Sequence, residues 1–175
     1  MDCSNLISND IFTLFDSWVN QSINSYTLLY RATRDGFDSS SFHSTCDNRG
    51  PTITLIQSDD GNVFGGYNSQ SWNSNDEFYG DNKCFIFTIK NKNNIGPTKY
   101  ISNKNGDFVY GGVNDGPIFG FHDIRIMKNS NKCQTNYQSF PNTYQDTSGF
   151  KGRTFASTFT FKVEEIEIFK IEKRE

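Results

Sequence analysis

Thr52-Ile53-Thr54-Leu55-Ile56-Gln57-Ser58-Asp59-Asp60-Gly61-Asn62-Val63-Phe64-Gly65-Gly66-Tyr67 is the stretch on which the fold turns. Two runs rich in β-branched and aromatic residues flank an Asp-Gly dipeptide. That arrangement predicts a β-hairpin, because glycine and aspartate tolerate the backbone angles of a tight connection. Glycine inside a strand weakens it by removing packing area. The Gly65-Gly66 pair therefore predicts a bulge, or a point where another backbone or a large ring comes close.

Outward from the hairpin the same chemistry recurs. Tyr26 to Ala32, Cys84 to Ile89, Thr98 to Ile101, Phe108 to Tyr110 and Ile118 to Met127 are strand candidates, with a turn at Asn105-Gly106. In the last run Phe155, Phe159, Phe161 and Val163 occupy odd positions, whereas Ile166 and Ile168 occupy even ones. The phase reverses at Glu164-Glu165. One extra residue there, a β-bulge, would return both sets to one inward face. Ile and Phe together number 32 against 7 for Ala and Leu, which excludes a helical bundle, and 20 Asn with 14 Gly supply the turns. A chain of 175 residues is one domain's worth of core.

Helical spacing appears twice. Ile11, Phe12, Leu14, Phe15, Trp18, Val19 and Ile23 fall at intervals of three and four within residues 8–24, predicting an amphipathic helix capped by Ser8 or Asn9. Residues 1–25 are thus a helix packing on a domain formed by 26–175. Its alternative role is a partner-binding helix. A second, short helix follows Asp38, with Phe42 and Cys46 four apart and facing inward. Residues 68–83 and 128–153 are long polar connections carrying Trp72, Phe78 and Tyr79 in the first, and Tyr137, Phe140, Tyr144 and Phe150 in the second. Their rings predict ordered loops.

Net charge is −3 and the cations are scattered, which argues against nucleic acid as a partner. The N-terminus lacks a secretory pattern and no run is apolar enough for a membrane span, so the expected compartment is the cytosol. Cys3, Cys46, Cys84 and Cys133 are dispersed, which predicts free thiols, Cys84 in the core, and neither a metal site nor a cofactor. No nucleophile-elbow or phosphate-loop motif occurs. His43 is expected to be a surface or hydrogen-bonded histidine. His122 and Asp123, neighbours on a predicted strand, would point to opposite faces and could not form the end of a triad. Asp59-Asp60 and Glu164-Glu165 read as solvated turn and bulge carboxylates.

The ordered series Leu28-Leu29-Tyr30-Arg31-Ala32-Thr33-Arg34-Asp35-Gly36-Phe37, Phe42-His43-x-x-Cys46-Asp47-Asn48-x-Gly50-Pro51-Thr52, Val63-Phe64-Gly65-Gly66-Tyr67, Phe119-Gly120-Phe121-His122-Asp123-Ile124 and Val163-Glu164-Glu165-Ile166-Glu167-Ile168-Phe169 resembles a TLDc domain from about Tyr26 to about Phe169. The segment around Gly120 looks one residue shorter and bulkier than is usual in the family. The resemblance implies an α+β, β-dominated fold, a two-layer antiparallel β-sandwich with short flanking helices. It marks Arg34, Asp35, Gly36, Phe42, Cys46, Asp47, Gly65, Gly66, His122, Asp123, Glu165 and Glu167 as family-motif positions. LysM, Rab-GTPase-activating and EF-hand neighbours, which accompany such domains elsewhere, are not expected in a chain of this extent.

The function implied by the resemblance is a non-enzymatic interaction module, monomeric and metal-free, that binds or regulates the vacuolar proton-pumping ATPase and contributes to resistance to oxidative stress. On that reading the protein is cytoplasmic and reaches acidic organelles through its partner. Glu165 and Glu167 would serve partner binding if exposed on the last strand, or fold stability if they accept backbone hydrogen bonds there. One alternative is a redox enzyme or peroxide scavenger using Cys46, which the neighbouring Asp47 disfavours because a carboxylate raises a thiol's pKa. A further alternative is a carbohydrate- or lipid-binding sandwich using exposed Trp72 and Tyr79.

Overall fold

The computed structural model describes residues 3–174 of the chain. It opens with α1 (Asn9–Val19), β1 (Ile23–Arg31), α2 (Ala32–Asp35) and α3 (Ser39–Cys46), then the hairpin β2 (Thr52–Ser58) and β3 (Val63–Asn68). β4 (Phe78–Tyr79), β5 (Phe85–Lys90), β6 (Thr98–Ile101), β7 (Val109–Tyr110), β8 (Asp115–Phe119), β9 (Ile124–Met127) and β10 (Asn136–Tyr137) follow. A 3-10 turn (Lys151–Arg153), β11 (Thr160–Phe161) and β12 (Val163–Lys173) end the order. The strands form two antiparallel sheets, β1-β12-β2-β3-β5-β6 and β11-β10-β9-β8-β7-β4. The fold is the β-dominated sandwich the sequence predicts.

Two apolar layers hold it together. Tyr30, Ile56, Phe64, Trp72, Ile86, Phe119, Ile124 and Ile168 fill the space between the sheets. On the outer face of the first sheet, Tyr26, Ile53, Leu55, Phe87, Phe169 and Ile171 pack with Phe12 and Phe15 of α1. Ring centroids lie 5.2 Å apart for Phe12 and Phe169 and 4.9 Å for Phe15 and Phe87. Asn20, in the left-handed region at φ 54°, ends α1, and the Lys99 ammonium donates to the Trp18 carbonyl at 3.1 Å, where the helix dipole favours a cation. Covered on both faces, β2 and β3 are buried almost throughout instead of alternating.

The phase reversal in the last run is a bulge. The β12–β2 register shifts between Val163 and Glu165, leaving Phe161 and Val163 before it and Ile166 and Ile168 after it in the inter-sheet core. Phe169 and Ile171 then face α1. Gly65 and Gly66 mark close approaches on opposite faces of β3. A Cβ on Gly65 would sit 1.8 Å from the Thr54 carbonyl oxygen, and one on Gly66 would sit 2.5 Å from the Phe119 ring.

Several local readings change: the first helix ends at Val19, so that Ile23 opens β1, and Ala32 belongs to α2. Ile118 to Met127 is a hairpin, not one strand: the chain reverses at 120–123, with Gly120 at φ 69° and His122 at φ 63°. The first strand of that hairpin begins earlier, since β8 starts at Asp115 and carries Pro117 within a register shift, where no ladder donor is needed. The chain around Asn105-Gly106 passes from one sheet to the other, since β6 belongs to the first and β7 to the second. Local turn chemistry is blind to which sheet receives the next strand. Phe159 precedes β11 and is 56% exposed, so it leaves the odd-numbered inward set.

Candidate functional site

Several motif positions gather where β1, α2 and β12 meet. Arg31 ends β1 and reaches across to Glu167 of β12, its Nε and Nη2 donating to Oε1 at 3.0 and 2.8 Å. Glu167 is fully buried and also accepts from the Asn5 amide and the Ser4 hydroxyl, tying the N-terminal segment to the sheet. Glu165 accepts from the Thr33 amide and hydroxyl and from the Ile166 amide. Of the two roles weighed for the Glu-x-Glu pair, the exposed binding surface is absent and the geometry fits the other, carboxylates that accept backbone hydrogen bonds. Both carboxylates are buried because the bulge turns Glu165 inward and β1 covers Glu167. Asp35 accepts from the Arg34 guanidinium, which holds its carboxyl below the usual range, and it also accepts from the Arg31 amide. Gly36, at φ 107°, ends α2 and accepts from the Tyr30 hydroxyl.

The next motif group is equally enclosed. Asp38 caps α3 by accepting from the Ser41 amide at 2.9 Å, and Phe42 packs its ring against Tyr30 and Trp72. Cys46 is fully buried, and its thiol pKa is raised by that burial and then by Asp47 and Asp35. His43 is hydrogen-bonded rather than superficial. Its Nδ1 lies 2.9 Å from Asp47 Oδ1, and its Nε2 lies 2.8 and 3.1 Å from the Gly112 and Asp115 carbonyls. With oxygens on both ring nitrogens, His43 has no lone pair aimed at a substrate. Trp72, anticipated as an exposed platform, is fully buried and donates from Nε1 to Thr52 Oγ1 at 2.9 Å. Tyr79 is half-buried and accepts from Asn68. The loop around Trp72 folds inward because its indole fills the gap between Phe42 and Phe119.

His122 and Asp123 lie on the tight turn between β8 and β9, not on a continuous strand, and they part there. Asp123 is buried and accepts from the Asn142, Thr143 and Tyr144 amides, anchoring the 128–153 loop. Burial pushes its carboxyl above the usual range, against the lowering effect of those amides. His122 points to the open side of the second sheet, where Nδ1 meets the Tyr137 hydroxyl at 3.0 Å. Burial and nearby Arg125 lower its pKa.

Around His122 runs a strip of rings. Tyr110 and Phe78 lie 4.8 Å apart, Phe78 and Phe121 stack at 5.5 Å, and Phe121 stacks on His122 at 5.2 Å. His122 meets Tyr137 edge-on, and Tyr137 stacks on Phe159 at 5.7 Å. Phe121 is 53% exposed. Arg125 lies over the Tyr137 ring and pairs with Asp115 at 3.3 Å. Unlike the first sheet, this face carries no helix among the described residues, and Tyr110, Arg125, Tyr137 and Thr160 keep partial or full exposure. Rings whose faces remain wet are suited to burying a partner's apolar surface, each worth about 1.5–3 kcal/mol when fully covered. The sequence signal was weak: Phe121 and Phe159 look like core residues until the turn and the loop place them outside.

Among the described residues no group of three or more His, Cys, Asp or Glu side chains could hold a metal ion, and no helix is long and apolar enough to cross a membrane. MTOR-associated protein MEAK7 of Danio rerio is 34% identical over 64 residues, covering 37% of this chain and 14% of that protein. The Gallus gallus protein of the same name is 29% identical over 104 residues, 59% of this chain and 20% of the relative. The Homo sapiens protein is 36% identical over 64 residues, 37% of this chain and 14% of the relative. The chain thus spans no more than about a fifth of the length of these relatives. The family model for the TLDc domain matches residues 1–172, nearly the whole sequence, and the chain belongs to the TLDc domain family.

Proposed function

We propose that this TLDc module acts without catalysis, by binding the vacuolar proton-pumping ATPase through the open face of its second sheet, and that this binding contributes to oxidative-stress resistance. The observation that carries the reading is the contrast between the enclosed motif residues and the exposed aromatic strip. Cys46 is buried and Asp47, Asp123, Glu165 and Glu167 spend their carboxylates on bonds within the fold, whereas the aromatic strip from Phe78 to Phe159 leaves Phe121 and Phe159 exposed. A redox enzyme needs a thiolate that substrate can reach; Cys46 is enclosed and its thiol is pushed toward the protonated form. The named partner rests on the family resemblance. The name of the relatives supports a second reading, a partner within mTOR signalling.

The test is capture of partners from cell lysate on the tagged chain, with subunits identified by mass spectrometry. Enrichment of ATPase subunits by the wild-type chain, reduced by Phe121→Ala at unchanged thermal stability, is the expected outcome. Enrichment of mTOR components without the ATPase would favour the second reading. An inactive but stably folded Cys46→Ser protein in a peroxide-survival assay would favour redox chemistry instead.

A further inference from the structure

One end of the aromatic strip opens into a cleft. Phe159, stacked on Tyr137, forms one wall, Phe150 forms another, and Lys151, Arg153, Ser157 and Thr158 line the rest of a volume of about 700 Å³. Phe150 is 38% exposed and Phe159 56%. Among the described residues neither Lys151 nor Arg153 forms an ion pair. Two carboxylates border the cleft and are taken up by backbone donors, not by the two cations: Asp146 accepts from the Ser148, Gly149 and Lys151 amides, and Asp60 accepts from the Ser157 amide. The two cations also stand on a braced turn. The Arg153 carbonyl accepts from the Asn93 side-chain amide at 2.8 Å, and the Thr154 amide donates to the Lys151 carbonyl.

We propose that this cleft docks an acidic linear segment of a protein partner carrying a phenylalanine or large aliphatic anchor. The inference rests on the reading of the chain as an interaction module, but not on the identity of the ATPase as partner. Exposed rings supply the anchor's contact, and the two cations, which pair with no carboxylate, supply charge complementarity from a backbone already held in place. The net charge of −3 works against an anionic membrane, while the unpaired Lys151 and Arg153 side chains stay free to meet an acidic segment.

Fluorescence anisotropy with a labelled seven-residue peptide tests the proposal, its central phenylalanine flanked by three acidic residues on each side. Binding should weaken about tenfold when alanine replaces the phenylalanine, and by at least about tenfold in Lys151→Glu/Arg153→Glu. Phe159→Ala should cost a similar factor. Lys173→Glu, on the far end of β12, should leave binding unchanged, and matched thermal midpoints exclude unfolding. Absence of binding to wild type, or binding insensitive to the charge reversal, overturns the proposal. So would sedimentation with phosphatidylserine vesicles that the reversal abolishes, or a dimer that it dissolves. ATPase capture is read in parallel on the same proteins: reversal-sensitive peptide binding without any ATPase capture from lysate upholds the cleft and overturns only the named partner.

Discussion

Glu167 is a carboxylate without solvent, and its charge is tolerable because Arg31, Ser4 and Asn5 all donate to it. Removing one member of such a buried pair strands the others. Glu167→Ala is therefore expected to cost about 3 kcal/mol in urea denaturation. Glu165→Ala, which strips the acceptor from the Thr33 amide and hydroxyl, should cost about 1–3 kcal/mol by the same measurement. The thiols divide just as sharply. Cys46 and Cys84 are buried with raised pKa values, and Cys3 and Cys133 are exposed. Iodoacetamide with the native protein should modify Cys3 and Cys133 alone, as read by peptide mass spectrometry, and all four only after denaturation. Labelling of native Cys46 would contradict its enclosure. The cysteine roles were legible in the sequence from apolar neighbours, but Arg31 and Glu167 stand 136 positions apart and nothing local announces their pairing.

The elements owe their limits to single residues. Asp38 stops the chain ahead of α3 and accepts from the Ser41 amide and the Ser40 and Ser41 hydroxyls, bonds that lower its pKa to about 2. Because that value lies below the ordinary aspartate pKa of about 3.9, the cap's contribution is present above pH ~4 and is lost as pH falls through about 2. Asp38→Ala should cost about 1 kcal/mol at neutral pH, and the difference from wild type should vanish toward pH ~2. Equal stability of the two proteins at neutral pH would remove the cap from the account. In β3, Gly66→Val is expected to destabilise by about 3 kcal/mol, because its Cβ would enter the Phe119 ring. A soluble variant melting with wild type would refute the close packing. Hairpin, bulge and short helix were all visible in sequence periodicity, whereas the division of Ile118–Met127 at His122 was not, since a left-handed non-glycine residue leaves no compositional trace.

Across the whole molecule the two sheets differ in what covers them. α1 seals the outer face of the first, so a variant lacking residues 1–20 should expose Tyr26, Phe87 and Phe169 and lose most of its soluble yield. The second sheet keeps its aromatic face open. All four cysteines are free and the core is built from Phe, Ile, Tyr and Trp, so neither EDTA nor dithiothreitol should move the thermal midpoint measurably. By itself the sequence determined the β-rich class, the amphipathic α1, the β2–β3 hairpin and the bulge at Glu164-Glu165, because each is written in spacing over a few neighbouring residues. Only the tertiary structure decided that Trp72, Glu165 and Glu167 lie inside while Phe121 and Phe159 lie outside. Burial depends on which distant strand or loop arrives to cover a side chain, and hydrophobic burial has no direction along the chain from which that arrival could be read.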